Sequence, residues 1–233
     1  MQDRIKQLAD SLFAFIFPTI CVNCNKEGAM LCADCVQILP WLQEPICPFC
    51  GQTMMRSAEM CFECVKDPLP ITQIRAAFRF VDPIPHVIHQ FKYENRFALA
   101  EPLAALMSEA WPQWQTAVNL IIPIPMHKTR QRKRGYNQSA LLAQKFSKHI
   151  DKPYSEDALQ RTRHTRPQVG LSGRARLANL SGAFDANGRS VRNKDILLID
   201  DVCTTGATLV VATKALLAAG ANSVSGYCLA RTT

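Results

Sequence analysis

The chain has 233 residues, 48% of them hydrophobic and 20% charged, which is enough apolar material for one sizeable core with a small appendage and too much for a disordered segment. Its 27 Lys and Arg against 19 Asp and Glu leave a net charge of +8, favouring anionic partners such as phosphates, nucleic acid or an acidic membrane face. No apolar run approaches the ~20 residues of a bilayer-spanning helix, which excludes a helical membrane span.

At the N-terminus Ile5, Leu8, Leu12, Phe13 and Ile16 fall at helical spacing and predict a short amphipathic helix within residues 1–18. Its polar face is not strongly basic, so it is expected to pack on its own protein, with peripheral contact at the inner face of the membrane as the competing use. No basic leader or small-residue cleavage site accompanies the apolar patch, so the expected location is cytoplasmic.

Eight of the ten cysteines follow in residues 19–68, as Cys21/Cys24, Cys32/Cys35, Cys47/Cys50 and Cys61/Cys64, each pair with CxxC spacing. A CxxC knuckle aims two thiolates at one ion, and two knuckles complete the tetrahedral four-sulfur shell that zinc prefers. In a reducing compartment thiols stay free for metal, so zinc is expected over disulfides. The short separations suggest two sequential sites, Cys21, Cys24, Cys32 and Cys35, then Cys47, Cys50, Cys61 and Cys64; an interleaved pairing stays open at this point. A closed four-cysteine shell leaves no position for substrate, so both zincs are expected to be structural. Cys203 and Cys228 lie in apolar surroundings and read as small packing residues.

The prolines of "KDPLP" close this head, and residues 72–233 alternate strands and helices. "IRAAFRF" places Ile74, Ala76, Phe78 and Phe80 on one face and Arg75 and Arg79 on the other, predicting a half-buried strand. Helices are expected over Ile84 to Tyr93 and Pro102 to Ala110, a buried strand in "VNLIIPIP", and a helix from Tyr136 to His149. "DILLID" predicts a strand, "GATLVVATKALLAAG" an apolar helix with Gly220 as its left-handed cap, and "SVSGYCLA" the last strand. Strands separated by helices of this length need crossover connections, so the fold class is α/β, a mostly parallel sheet covered by helices beside the cysteine-rich domain. Such sheets bind ligands beyond the carboxyl ends of their strands, where Asp200 and Asp201 fall.

An apolar strand running into two acids would also suit a magnesium-dependent nucleoside triphosphatase. That needs GxxxxGK followed by Ser or Thr, and no Gly-Lys dipeptide occurs. No Gly-x-Gly occurs either, which removes the dinucleotide fingerprint, and "GLSGR" puts Arg174 where a nucleophile elbow has glycine. A sugar phosphate fits better. Adjacent carboxylates accept hydrogen bonds from vicinal ribose hydroxyls, and a turn rich in Thr and Gly opening a helix offers N–H groups and hydroxyls to a phosphate.

"ILLIDDVCTTGAT" resembles the phosphoribosyl-diphosphate (PRPP) signature of type I phosphoribosyltransferases. "IIPIPMHKTRQRKRGYNQSALLAQ", "LQRTRHTRPQVGLSGRARLANLSGAF" and "CLART", with the cysteine-rich head, resemble the ComF (ComFC, GntX-like) family of bacterial competence proteins across nearly the whole chain. The resemblance implies a type I phosphoribosyltransferase-like domain behind a double zinc ribbon. It implies PRPP binding by Asp200, Asp201, Val202, Cys203, Thr204, Thr205, Gly206, Ala207 and Thr208, and a diphosphate loop at Pro125, Met126, His127 and Lys128. It further implies magnesium bridging diphosphate and ribose, and a mobile active-site loop in "RTRHTRPQVGLSGR". For function it implies handling of single-stranded DNA in natural transformation, with DNA-uptake machinery proteins as partners. The alternative is an active transferase that moves phosphoribose to an unidentified nitrogen acceptor and releases diphosphate.

From Lys128 to Arg134 five of seven residues are basic, and Arg161, Arg163, Arg166, Arg174 and Arg176 follow. That field suits a diphosphate or a nucleic-acid backbone. The nearest aromatic residues for base stacking are Tyr136 and Tyr154, a thin supply.

Overall fold

The structure is a computed structural model that describes residues 19–56, 59–111, 117–163 and 182–232. The expected N-terminal helix, Arg166, Arg174, Arg176 and most of "RTRHTRPQVGLSGR" lie outside the described residues.

The head repeats one unit twice. The first CxxC of each unit sits in a tight hairpin closed by an antiparallel bridge, Ile20 to Glu27 and Ile46 to Thr53. Each second pair opens a short helix, α1 (Ala33–Gln37) after Cys32 and α2 (Phe62–Lys66) after Cys61.

The larger domain begins with β1 (Ile74–Arg79), then α3 (Ile84–Tyr93), a 3-10 turn (Phe97–Leu99), α4 (Ala100–Ala110) and β2 (Leu120–Pro123). Next come α5 (Lys128–Arg134), α6 (Gln138–His149), β3 (Leu159–Arg161), β4 (Phe184–Ala186) and α7 (Gly188–Val191). The chain ends in β5 (Asp195–Cys203), α8 (Ala207–Ala218) and β6 (Ser223–Arg231). The main sheet has the order β1-β6-β5-β2 with every pair parallel, while β3 and β4 form a separate antiparallel ribbon. The parallel α/β class expected from the alternation is therefore the class observed.

Several boundaries differ from the sequence expectation for local reasons. Helix α6 starts at Gln138 because Asn137 caps it: its Oδ1 accepts from Ser139 N at 3.2 Å while its Nδ2 donates to Ile124 O at 3.1 Å. That double bond ties the helix start to the end of β2. Strand β5 continues past "DILLID" to Cys203, because β6 pairs with it from Asp195 to Cys203. The acids are thus held inside a paired strand instead of at its frayed end.

Strand β1 is not half-buried: Ile74 to Phe78 are all buried, including Arg75 at 9% exposure. The head covers what would be an open sheet edge, with Leu42 N donating to Ala77 O at 2.8 Å and Arg79 N donating to Pro40 O at 2.8 Å. Trp41 stacks on Phe78 at 4.5 Å between ring centroids. The second knuckle joins lower down, where Ile74 N donates to Phe49 O at 2.7 Å.

The core lies between the sheet and its helices. Tyr227 on β6 is fully buried against Trp111 and Phe146, with centroids at 5.4 Å to each, and its hydroxyl donates to Met107 O at 2.7 Å. Helix α8, with seven buried residues, packs on β6 and on β4, which explains why its sequence is apolar almost all round.

Candidate functional site

The cysteines form the two sequential groups, Cys21, Cys24, Cys32 and Cys35, and Cys47, Cys50, Cys61 and Cys64, with the four sulfurs of each within 4.8 Å of one another. Sulfur separations of 3.5 Å (Cys24 to Cys32), 3.6 Å (Cys50 to Cys61) and 3.9 Å (Cys47 to Cys64) fit the edge of about 3.8 Å that a tetrahedral zinc–thiolate shell requires. They are far too long for disulfides. Both groups stabilise a thiolate in the same way: Cys32 N donates to Cys21 Sγ and Cys61 N to Cys47 Sγ, each at 3.4 Å. Burial would raise Cys21, but the N–H groups of Cys32, Cys24 and Asn23 outweigh it and hold the thiol at about 6. Cys47 comes to about 6 likewise, with burial outweighed by the N–H groups of Cys50, Cys61 and Phe49. The donor sets are those of two zinc sites.

At the carboxyl end of β5 a cleft of about 300 Å³ is lined by Phe80, Lys92 and the run Asp200 to Leu209. Asp201, 8% exposed, accepts from Lys92 Nζ at 2.9 Å and from Gln138 Nε2 at 3.2 Å through the same Oδ2. Asp200 Oδ1 accepts from Ser139 Oγ at 2.9 Å and from Asp201 N at 2.9 Å. Burial, and then the Asp201 carboxylate, push Asp200 up to about 7 against the pull of Ser139, the Asp201 N–H and Lys92. Gln138 is 2% exposed and its Oε1 has no hydrogen-bond partner among the described residues. A buried acceptor without a donor beside the acids fits a ligand that supplies hydroxyl groups.

Arg161 on β3 feels Asp200 and Arg130 together: burial and Arg130 lower its guanidinium and Asp200 opposes them. The ribbon thus brings a cation from far along the chain to the acids. Lys92, Gln138 and Ser139 did not figure as site residues in the sequence reading, whereas Arg161 did, in the basic field and as the first residue of the loop "RTRHTRPQVGLSGR". The only local signal for the first three was their place at a helix end and a helix start.

The turn after β5 has Thr204 and Thr205 exposed and Gly206 in the left-handed region at φ 76°, capping α8. Ala207 N donates to Thr205 Oγ1 at 3.4 Å. Cys203 is buried beside the turn and accepts from Arg231 Nη1 at 2.6 Å; the Cys228 thiol, then Arg231, bring it down to about 7 against its burial. Its Sγ lies 3.9 Å from the position of a Cβ at Gly206, in contact with the turn. Pro125, Met126, His127 and Lys128 follow β2, the strand beside β5, where Ile124 N donates to Ile199 O at 2.8 Å. They do not line the cleft itself. His127 caps α5, its Nδ1 accepting from Thr129 N at 3.2 Å.

Residues 12–65 match the double zinc ribbon domain model, and residues 136–232 match the phosphoribosyl transferase domain model. The "Competence protein F" of Haemophilus influenzae is 31% identical over 224 residues, which span 91% of this chain and 96% of that protein. The chain belongs to the ComF family. Other members with comparable similarity are the "DNA utilization protein YhgH" of Escherichia coli, 31% identical over 92% of this chain and 98% of its own, and the "Competence protein ComFC" of Bacillus subtilis, 30% identical over 88% and 86%. Family membership accounts for the pairing of a double zinc ribbon with a phosphoribosyltransferase domain in one chain. Among the described residues no helix is long and apolar enough to cross a membrane.

Proposed function

We propose that the cleft binds PRPP with magnesium and that this ComF-family protein serves natural transformation by handling single-stranded DNA. The observation that carries the reading is the acid pair fixed by Lys92, Gln138 and Ser139 directly before the threonine turn. In this reading Asp200 and Asp201 accept hydrogen bonds from the ribose 2- and 3-hydroxyls, and Gln138 Oε1 takes a further hydroxyl. The N–H groups and hydroxyls from Thr204 to Thr208 hold the 5-phosphate at the start of α8. Lys92, Arg130 and Arg161 surround the anionic ligand, with the loop Pro125 to Lys128 as the diphosphate site. Magnesium, when bound with PRPP, would neutralise diphosphate charge as the leaving group separates. The relatives named for competence and for DNA utilization support the biological role. In this proposal the protein is cytoplasmic and works with the uptake machinery, with peripheral contact at the inner face of the membrane.

Diphosphate release from PRPP, measured with and without single-stranded DNA and nitrogen bases, tests the role of the site. Binding without release is the expected result for an accessory protein. Acceptor-dependent release would replace this reading with that of an active transferase.

A further inference from the structure

Three aromatic rings stand four residues apart beside the cleft. His89 and Tyr93 lie on one face of α3, with centroids 5.0 Å apart, and Phe97 opens the 3-10 turn. Between Tyr93 and Phe97, Asn95 adopts the left-handed region at φ 53°. All three rings are exposed, Tyr93 at 60% and Phe97 at 63%. Phe97 meets Tyr136 edge-on at 6.5 Å, and Tyr136 donates its hydroxyl to Phe91 O, so this step of rings rests on a fixed base.

The rings adjoin positive charge. Arg134, the last residue of α5, lies over the Tyr93 ring at 4.8 Å, and α5 carries five cations, no carboxylate and no buried residue. Glu94 is the one carboxylate between Asp82 and Glu101. Two segments build both this step and the sugar-phosphate site. Residues 92–97 give Lys92 to Asp201 and then Tyr93 and Phe97 to the step; residues 134–139 give Arg134 and Tyr136 to the step and then Gln138 and Ser139 to the acids.

We infer that His89, Tyr93 and Phe97 form a stacking platform for unpaired bases of a single-stranded nucleic acid whose phosphates run along α5. Exposed aromatic rings in a row offer their faces to any base, and a cationic helix beside them takes the backbone, which together recognise a strand without reading its sequence. Bases within a duplex are already stacked and offer no face. The inference rests on the proposed role for its choice of partner, and it places that partner at the mouth of the PRPP cleft.

The test is fluorescence anisotropy on the full chain, using labelled oligothymidylate of about 20 nucleotides and a duplex of equal length at fixed salt. PRPP binding is measured by calorimetry on the same preparations. Tyr93→Ala/Phe97→Ala is expected to bind the strand about tenfold more weakly or worse, with PRPP affinity unchanged. Tyr93→Trp/Phe97→Trp is expected to keep strand binding. Unchanged strand affinity in the alanine variant would overturn the platform, as would equal affinity of the wild type for strand and duplex. Failure of the wild type to bind PRPP overturns the sugar-phosphate reading alone, because loss of strand affinity in the alanine variant supports the platform independently.

Discussion

The cysteine head and the acid end of β5 both gather negative charge in buried surroundings, yet they stabilise it by different means. In the head, backbone N–H groups bring the Cys21 and Cys47 thiols down to about 6, and the four sulfurs of each group face one another. At the acid end, the side chains of Lys92, Gln138 and Ser139 hold the carboxylates. The difference teaches where each region draws its order. A head of about 50 residues with so small a core needs metal to fold, whereas the acid pair is ordered by the sheet and is available to a ligand.

Removing zinc attacks the first half of that contrast and has the largest expected effect. Chelation, or Cys47→Ser, should unfold the head, since metal binding at a structural zinc site supplies about 10 kcal/mol or more of folding free energy. The check is metal analysis with circular dichroism and limited proteolysis. Zinc-free protein with an intact, protease-resistant head would break the comparison.

Gly51→Ala probes how firmly the two regions are joined. Gly51 has φ 72°, and a Cβ there would lie 2.4 Å from the Ile74 backbone oxygen, where the second knuckle docks on β1. The opposite side of Ile74 also meets the phosphate turn: its Cδ1 is 3.1 Å from the position of a Cβ at Gly206. The substitution should cost about 2–4 kcal/mol, from left-handed strain plus a backbone clash. It should also weaken PRPP binding through Ile74. Denaturant unfolding alongside ligand titration measures both, and stability equal to wild type would mean that the head is a loosely attached appendage.

Asp200→Asn tests the acid end with a smaller effect. With the folded carboxyl raised to about 7 from the ordinary carboxylate value, the folded state holds a proton that the unfolded state releases between these values. The stabilisation is therefore fully present below about pH 4 and is lost as pH rises through about 7. Asn keeps the side-chain shape and removes the charge, so the variant should lose this pH dependence and be more stable than wild type near pH 8. Parallel stability–pH curves for the two proteins would show that Asp200 carries no such strain.

How much of this was legible beforehand divides along the same line. CxxC spacing sets both cysteine groups locally, and periodicity identifies β1, β2, β5, β6 and the long helices. Strand pairing is not local. The burial of β1 depends on Pro40 and Leu42 closing its edge, and the extension of β5 depends on a partner strand some 28 residues later. Lys92 reads in sequence as a cation suited to a helix C-terminus. Its bond to Asp201 comes from the crossover that brings the end of α3 to the sheet. Gln138 and Ser139 read as a helix start, and only the cap at Asn137 turns them toward the acids. The aromatic step was hidden because the four-residue spacing of His89, Tyr93 and Phe97 reads as one stripe of a continuous helix, whereas the helix ends at Tyr93 and Phe97 opens a separate 3-10 turn.

The central claim is that Asp200 and Asp201 hold the ribose of PRPP. Calorimetric titration of PRPP with magnesium into the wild type and into Asp200→Asn/Asp201→Asn tests it most directly. The account predicts binding to the wild type and affinity lower by about 100-fold in the variant, the loss expected for two hydrogen bonds to charged acceptors. Equal affinity in the two proteins would contradict it.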